Sequence, residues 1–266
     1  MLITTDGLIT RSYATGDGDH VIHLVTPARG RIAVMVKKGR GKKNPFAAIT
    51  QPFTYGNYEL YRGSGDLYWL KGGSVIKSFY SLTEDLTSMA LASYICDVTS
   101  EFSDEGESAE EILQLSLNTL YALMKQINSH AIIKAVFELR AATVTGFMPD
   151  LSGCCACGEA NPVNAYLDIM NGSVICADCR TKRNRHSSGA AESTAESGQR
   201  NIISPMTAST LAAVRYAVHA LPKKIFSFTL ADKEEESIFS RVAETYLLHH
   251  AERGFDTLSF YHSVEV

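Results

Sequence analysis

Hydrophobic and polar positions change rhythm twice along this chain. Residues 2–10, 21–26, 31–37, 53–61 and 68–75 are short runs rich in β-branched and aromatic side chains. Between them stand turn-forming stretches: Gly16-Asp17-Gly18-Asp19, Pro27-Ala28-Arg29-Gly30, residues 39–45, and Arg62-Gly63-Ser64-Gly65. Five short strands at this spacing predict a small barrel over residues 1–80. A five-stranded barrel of this length that binds nucleic acid is typically an OB-fold. The periodicity alone also fits an SH3-like barrel.

After Leu82 the apolar residues recur at three and four, the helical period. Residues 84–102 carry Leu86, Met89, Ala90, Tyr94 and Val98 on one face. Ser108-Ala109-Glu110-Glu111 reads as a capping box. It would open a helix to about residue 127, with Ile112, Leu115, Leu120, Leu123 and Met124 turned inward. A third helix is expected over 131–145, ended by Gly146 and Pro149. Residues 184–200 have no apolar anchor and predict a mobile loop. Ser204-Pro205 reads as an N-cap followed by proline at the first helical position. Helices are then expected through 211–221 and 235–253, and the tail 255–266 is apolar enough to dock.

The change of rhythm between them coincides with the cysteines. Cys154 and Cys157, then eighteen residues, then Cys176 and Cys179 give the spacing of a zinc ribbon. Four thiolates in a tetrahedron close the coordination sphere of Zn²⁺, so one structural ion per chain is expected and a catalytic one is not. Cys155 lies between the first two ligands and could replace Cys154 in a slipped register. Disulfides are the competing use of these residues. They are disfavoured because Met1-Leu2-Ile3-Thr4-Thr5-Asp6 lacks the pattern of a signal peptide, which predicts a cytoplasmic, reducing setting. No stretch approaches eighteen uninterrupted apolar residues, so no membrane span is expected. Cys96 falls within an apolar helical pattern and is expected to be a small buried hydrophobe. The whole reads as an α+β multidomain chain. It has a barrel at 1–80, a helical domain at 81–149 and 201–253, and a four-cysteine, zinc-ribbon-like module at 150–182. A flexible loop at 183–200 and a C-terminal tail at 254–266 complete it.

The net charge of −4 conceals an asymmetry. Residues 1–80 hold eleven Lys/Arg against five Asp/Glu, and the remainder holds fourteen against twenty-four. A basic first third on an acidic body suggests a nucleic-acid-binding module, although charge runs are often only solvated surface. The cations cluster at Lys37, Lys38, Arg40, Lys42 and Lys43, interleaved with Gly39 and Gly41. The glycines let the backbone approach a phosphate chain. Of the nearby aromatics Phe46, Phe53, Tyr55, Tyr58 and Tyr61, most must fill the barrel, leaving one or two to stack on bases. A second patch, Arg180, Lys182, Arg183 and Arg185, either extends the track or merely solubilises the loop that follows.

Catalytic motifs do not hold up. Gly39-Arg40-Gly41-Lys42-Lys43 lacks the spacing of a phosphate-binding Walker loop. His250-Ala251-Glu252 matches the H-x-E of zinc deaminases but follows the cysteines, with no P-C-x-x-C. His249 and His250 could serve as spare ligands, but four cysteines suffice. No catalytic residue and no small-molecule substrate are expected.

The order of these parts resembles the bacterial recombination mediator RecO family over nearly the whole length. Asp6-Gly7-Leu8-Ile9-Thr10-Arg11-Ser12-Tyr13 is similar to that family's first strand. Asp19-His20 before residues 21–26, with Gly30-Arg31-Ile32, is similar to its second. Gln51-Pro52-Phe53-Thr54 and Glu59-Leu60-Tyr61 match its middle strands, and Gly146-Phe147-Met148-Pro149-Asp150-Leu151 leads into the cysteines as it does there. Some members of the family lack the cysteines; this chain keeps all four. The resemblance implies an N-terminal OB-fold at 1–80, a helical domain and a zinc module, and a non-enzymatic protein of recombinational repair that binds single- and double-stranded DNA and anneals complementary strands. With RecR it would load RecA onto strands coated by single-strand-binding protein, in the nucleoid-associated cytoplasm. Arg11, in the matched first strand, joins the candidate DNA-binding cations. The family binds the acidic C-terminal tail of the coat protein in its helical domain, which makes Arg215, Lys223 and Lys224 candidates. A zinc-ribbon adaptor that acts through protein partners and touches DNA weakly is the alternative.

Overall fold

Strand β1 (Leu2–Ala14) is long enough to serve two neighbours. Its first half pairs antiparallel with β4 (Thr54–Arg62) and its second half with β2 (His20–Thr26). A shift of register between Ile9 and Arg11 lies between the two pairings, and such irregularities bend a strand. β3 (Gly30–Val36) follows antiparallel to β2, and β5 (Tyr68–Ser78) pairs antiparallel with β4 but parallel with β3. The result is a closed barrel of order β1-β2-β3-β5-β4. The parallel β3–β5 pair makes the barrel OB-like and decides the choice that periodicity left open. The computed structural model describes residues 1–15, 19–37, 45–63, 67–187 and 202–265.

The barrel interior follows from alternation. β3 buries every second residue along its length, the period of a strand with one face in a core. Ile9, Ile22, Leu24, Ile32, Val34, Val36, Tyr58, Leu60, Tyr68 and Leu70 fill it, each fully buried side chain contributing about 1.5–3 kcal/mol. Tyr58 donates its hydroxyl to the Ile49 carbonyl at 3.0 Å, and burial pushes its phenol pKa up.

Two compact units divide the chain: Met1–His130 with Gly254–Val266, and Ala131–Arg253. The first unit therefore joins the barrel to α1 (Leu86–Glu101), α2 (Glu110–Met124) and α7 (Asp256–Val264). The β2–β3 turn explains the join. Gly30 has φ +57°, and a Cβ there would lie 1.8 Å from the Asp104 carbonyl oxygen. Arg31 N–H donates to Ser103 O at 3.1 Å and Ala109 N–H to Pro27 O at 2.9 Å. The α1–α2 loop is thus laced to the barrel backbone. Asp85 caps α1 by accepting from Ser88 N–H at 2.7 Å. The apolar tail docks as a helix: α7 packs on α1, with Phe255 edge-on to Tyr94 at 5.6 Å. Cys96 is fully buried in α1, and burial raises its thiol pKa.

The capping box is a correction. The residue before α2 is Ala109, with no side-chain cap. Ser108 instead donates its hydroxyl to Pro27 O at 3.2 Å; lacing to the barrel turn takes the side chain that local sequence assigns to the helix.

In the second unit, a four-stranded sheet of order β6-β8-β7-β9 sits with α3 (His130–Val144), α4 (Ala177–Ser187), α5 (Ala208–His219) and α6 (Lys233–His250). The strands are β6 (Asp150–Cys154), β7 (Asn164–Asp168), β8 (Ser173–Cys176) and β9 (Ile203–Thr207). The expected cap at Ser204-Pro205 is a second correction. Both residues lie in β9, with Pro205 opposite Tyr166 on an edge strand, where a missing N–H is tolerated. α5 starts three residues later, and Thr207 caps it by accepting from Thr210 N–H at 3.0 Å. Of the expected loop 184–200, residues 184–187 belong to α4, and the rest lies outside the described residues. Inside this unit Lys134 is 1% exposed and paired with Glu138 at 3.0 Å and with Glu244 at 2.5 Å.

Candidate metal centre and nucleic-acid interface

Two knuckles bring the four cysteines together. Cys154 ends β6, and Gly158 N–H returns to Cys154 O at 2.8 Å to close the first turn. Gly158 has φ +78°, a left-handed conformation that favours glycine. Cys176 ends β8, and Cys179 lies in the first turn of α4. The four Sγ atoms all lie within 4.8 Å of one another, and Cys157 Sγ is 3.9 Å from Cys176 Sγ. A tetrahedron with Zn–S bonds of about 2.3 Å has edges of about 3.8 Å, so this donor set fits the ion. All six cysteines are free. Among the described residues this is the one cluster of metal-ligating side chains.

The electrostatics suit a cation as well. Cys176 N–H points at Cys154 Sγ (3.3 Å), and Cys179 N–H at Cys176 Sγ (3.4 Å). Burial pushes the Cys154 thiol up, but N–H groups of Cys176, Ala156 and Cys157 outweigh it and bring the pKa to about 6. Cys179 is pushed up to about 12 by its hydrogen bonds with Cys176 and Cys157. Cys154 is thus disposed to the thiolate form that binds a cation, while Cys179 keeps a proton that a divalent cation would displace. Cys155 is exposed, and its N–H is used by Val174 O at 2.7 Å. It stands outside the cluster, so the register is that of Cys154.

The candidate DNA cations divide. Lys37 is exposed just past β3, with Nζ 4.8 Å from the centroid of the Trp69 ring. Lys38, Arg40, Lys42 and Lys43 lie outside the described residues. Arg11 is half exposed, and its Nε donates to Asp97 Oδ1 at 2.7 Å. Of the candidate aromatics, Phe53 and Tyr58 are buried, Phe46 packs against the barrel core, and Tyr61 is exposed. Sequence reasoning passed over Trp69 and Lys71. The signal was present: Tyr68 and Leu70 turn inward, which sends Trp69 out.

On α4, the Arg180 guanidinium lies 4.1 Å from the Tyr166 ring centroid. Arg180 and Arg183 line a cavity of about 340 Å³ with Cys155, Asp168 and Asn171, while Lys182 is exposed. Arg215 donates to Leu151 O and Asn161 Oδ1, both at 2.8 Å. It borders a largely apolar cavity of about 490 Å³ with Met148, Leu151 and His219. Lys223 and Lys224 are exposed in the turn after α5. Among the described residues no helix is long and apolar enough to cross a membrane.

Comparison with known proteins agrees along nearly the whole chain. The family model for the recombination protein O N terminus matches residues 1–79, and that for its C terminus matches residues 83–259. The DNA repair protein RecO of Acetivibrio thermocellus is 27% identical over 261 residues, 97% of this chain and 95% of the relative. The DNA repair protein RecO of Alkaliphilus metalliredigens is 29% identical over 180 residues, 67% of this chain and 72% of the relative. The OB-like barrel, the helices and the four-cysteine cluster are thus those of a chain that belongs to the recombination protein O family.

Proposed function

We propose that the chain is a non-enzymatic mediator of recombinational DNA repair whose barrel binds single- and double-stranded DNA and helps complementary strands anneal. With RecR it loads RecA onto strands coated by single-strand-binding protein, in the bacterial cytoplasm at the nucleoid. Family membership supports the repair role. The observation that carries the DNA-binding part is exposed Lys37, from which the chain runs directly into Lys38, Arg40, Lys42 and Lys43. Two strands repel through their phosphates. A surface that neutralises both raises their local concentration and lowers that barrier, while base pairing supplies specificity. Arg11 adds least, because Asp97 already balances its charge.

Arg180, Lys182 and Arg183 offer further phosphate contacts along α4. Arg215, with Lys223 and Lys224, is the candidate receptor for the acidic tail of the coat protein. The exposure of Lys223 and Lys224 in the turn after α5 supports this, since an acidic tail needs accessible cations. Cys154, Cys157, Cys176 and Cys179 hold one Zn²⁺ per chain. When bound, that ion supplies four bonds that tie β6, β8 and α4 together and leaves no open position for chemistry.

Fluorescence anisotropy of a labelled single strand tests the proposal, with the wild type and with Lys37, Lys38, Arg40, Lys42 and Lys43 all changed to Glu. The expected result is loss of binding with the melting curve retained. About four phosphate contacts give a log–log salt slope near −3 for the wild type. Equal binding by both proteins would favour the zinc-ribbon adaptor instead.

A further inference from the structure

The outer face of the barrel carries an aromatic pair that electrostatic binding does not use. Trp69 on β5 is in register with Tyr61 on β4 and with Met35 on β3. Their neighbours Leu60, Leu70 and Val34 point into the core, so the pleat sends these three side chains outward. Tyr61 is 44% exposed, and Leu2, opposite it on β1, is 64% exposed. Each ring carries a lysine: Lys37 Nζ is 4.8 Å from the Trp69 centroid, and Lys71 Nζ is 5.6 Å from that of Tyr61.

We propose that Trp69 and Tyr61 form a stacking platform for unpaired bases, and that Lys37 and Lys71 turn from the rings to the phosphates when a single strand binds. The proposal rests on the barrel being the DNA-binding element. An exposed lysine holds an aromatic ring less strongly than a nucleic-acid base stacks on one. Exchange of partners therefore gains on both sides: each ring takes a base, and each ammonium takes a phosphate. Adjacent rings on neighbouring strands suit consecutive bases. A duplex has no free base faces in its interior and can use only the lysines. The platform thus favours single strands over duplexes, which phosphate contacts alone cannot do.

Trp69 is the only tryptophan in the chain, so its emission reports on this site directly. A labelled thymidine homopolymer and a labelled duplex of equal length are titrated with wild type, Trp69→Ala, Tyr61→Ala and Trp69→Phe, affinity being read from the anisotropy of the label and stacking from the emission of Trp69 where it is present. The platform predicts that the single strand quenches Trp69 emission and the duplex leaves it nearly unchanged. Trp69→Ala and Tyr61→Ala each weaken single-strand affinity by about tenfold and leave duplex affinity within about twofold. Trp69→Phe recovers most of the loss, and the retained duplex affinity of the Ala variants separates stacking from a folding defect. If the wild type binds neither probe, the barrel reading fails and the platform with it. If it binds the single strand without quenching and Trp69→Ala binds equally well, the platform is overturned while the barrel reading stands. Equal weakening for both probes would overturn it too.

Discussion

Arg11 on β1 and Asp97 on α1, 86 positions apart in sequence, meet at 2.7 Å. Asp97 is largely buried, and its second oxygen accepts from Thr257 Oγ1 of α7 at 2.9 Å. One carboxylate therefore ties the barrel, the first helix and the C-terminal helix. Asp97→Ala should cost about 1–3 kcal/mol. Thermal unfolding should register a loss of about 3–10 °C. An unchanged melting temperature would mean that the tie is ornamental.

Lys134 poses a sharper case, because it and Glu138 are both out of solvent. Burial disfavours its charge, but Glu138 and Glu244 outweigh that and raise its pKa. Lys134→Met leaves Glu138 buried without its cation and should destabilise by about 3–5 kcal/mol. Lys134→Met combined with Glu138→Leu should recover much of the loss, since an apolar pair replaces an ionic one. Denaturant titration compares them; a double variant worse than the single would contradict the ion-pair reading.

The metal site gives a local prediction. Cys176→Ala should unfold residues 150–182, because structural zinc in small peptides contributes on the order of 10–16 kcal/mol of apparent binding energy. The barrel, in the other unit, should survive. Limited proteolysis of variant and chelated wild type should cut in that segment first. Resistance of the metal-free segment would argue that the sheet stands without the ion.

His250 stacks on Phe147 with 4.7 Å between centroids. Burial, then His249, hold its imidazole below the ordinary 6.5. The unfolded chain therefore takes up this proton more readily than the folded one. Stability from this group is complete above pH 6.5 and declines as pH falls below it. The ring is partly solvated, so the slope should be well under about 1.4 kcal/mol per pH unit. His250→Phe should flatten that part of a stability–pH curve. Parallel curves for variant and wild type would refute the assignment.

Much of this was legible in the sequence, for reasons that particular residues make plain. The barrel strands showed because Leu24, Val34 and Leu60 sit at every second position around a closed core. The cysteine cluster showed because two knuckles need only local spacing. The choice of barrel did not show in periodicity, since the β3–β5 pairing is a non-local contact between Met35 and Trp69; the OB-fold expectation came from the family resemblance. Ser108 and Ser204 misled because local capping rules cannot see a hydroxyl taken by Pro27 or a strand pairing with Leu167. Lys134 was invisible, because a lysine and a glutamate four apart on a helix normally mark a solvated face.

Annealing of two complementary oligonucleotides is the most direct trial of the idea that cations on the barrel bring strands together. The wild type should speed annealing at low salt and lose that effect as salt rises. The variant with Lys37, Lys38, Arg40, Lys42 and Lys43 all reversed to Glu should anneal no faster than protein-free strands while melting like the wild type. Undiminished annealing by that variant would contradict it.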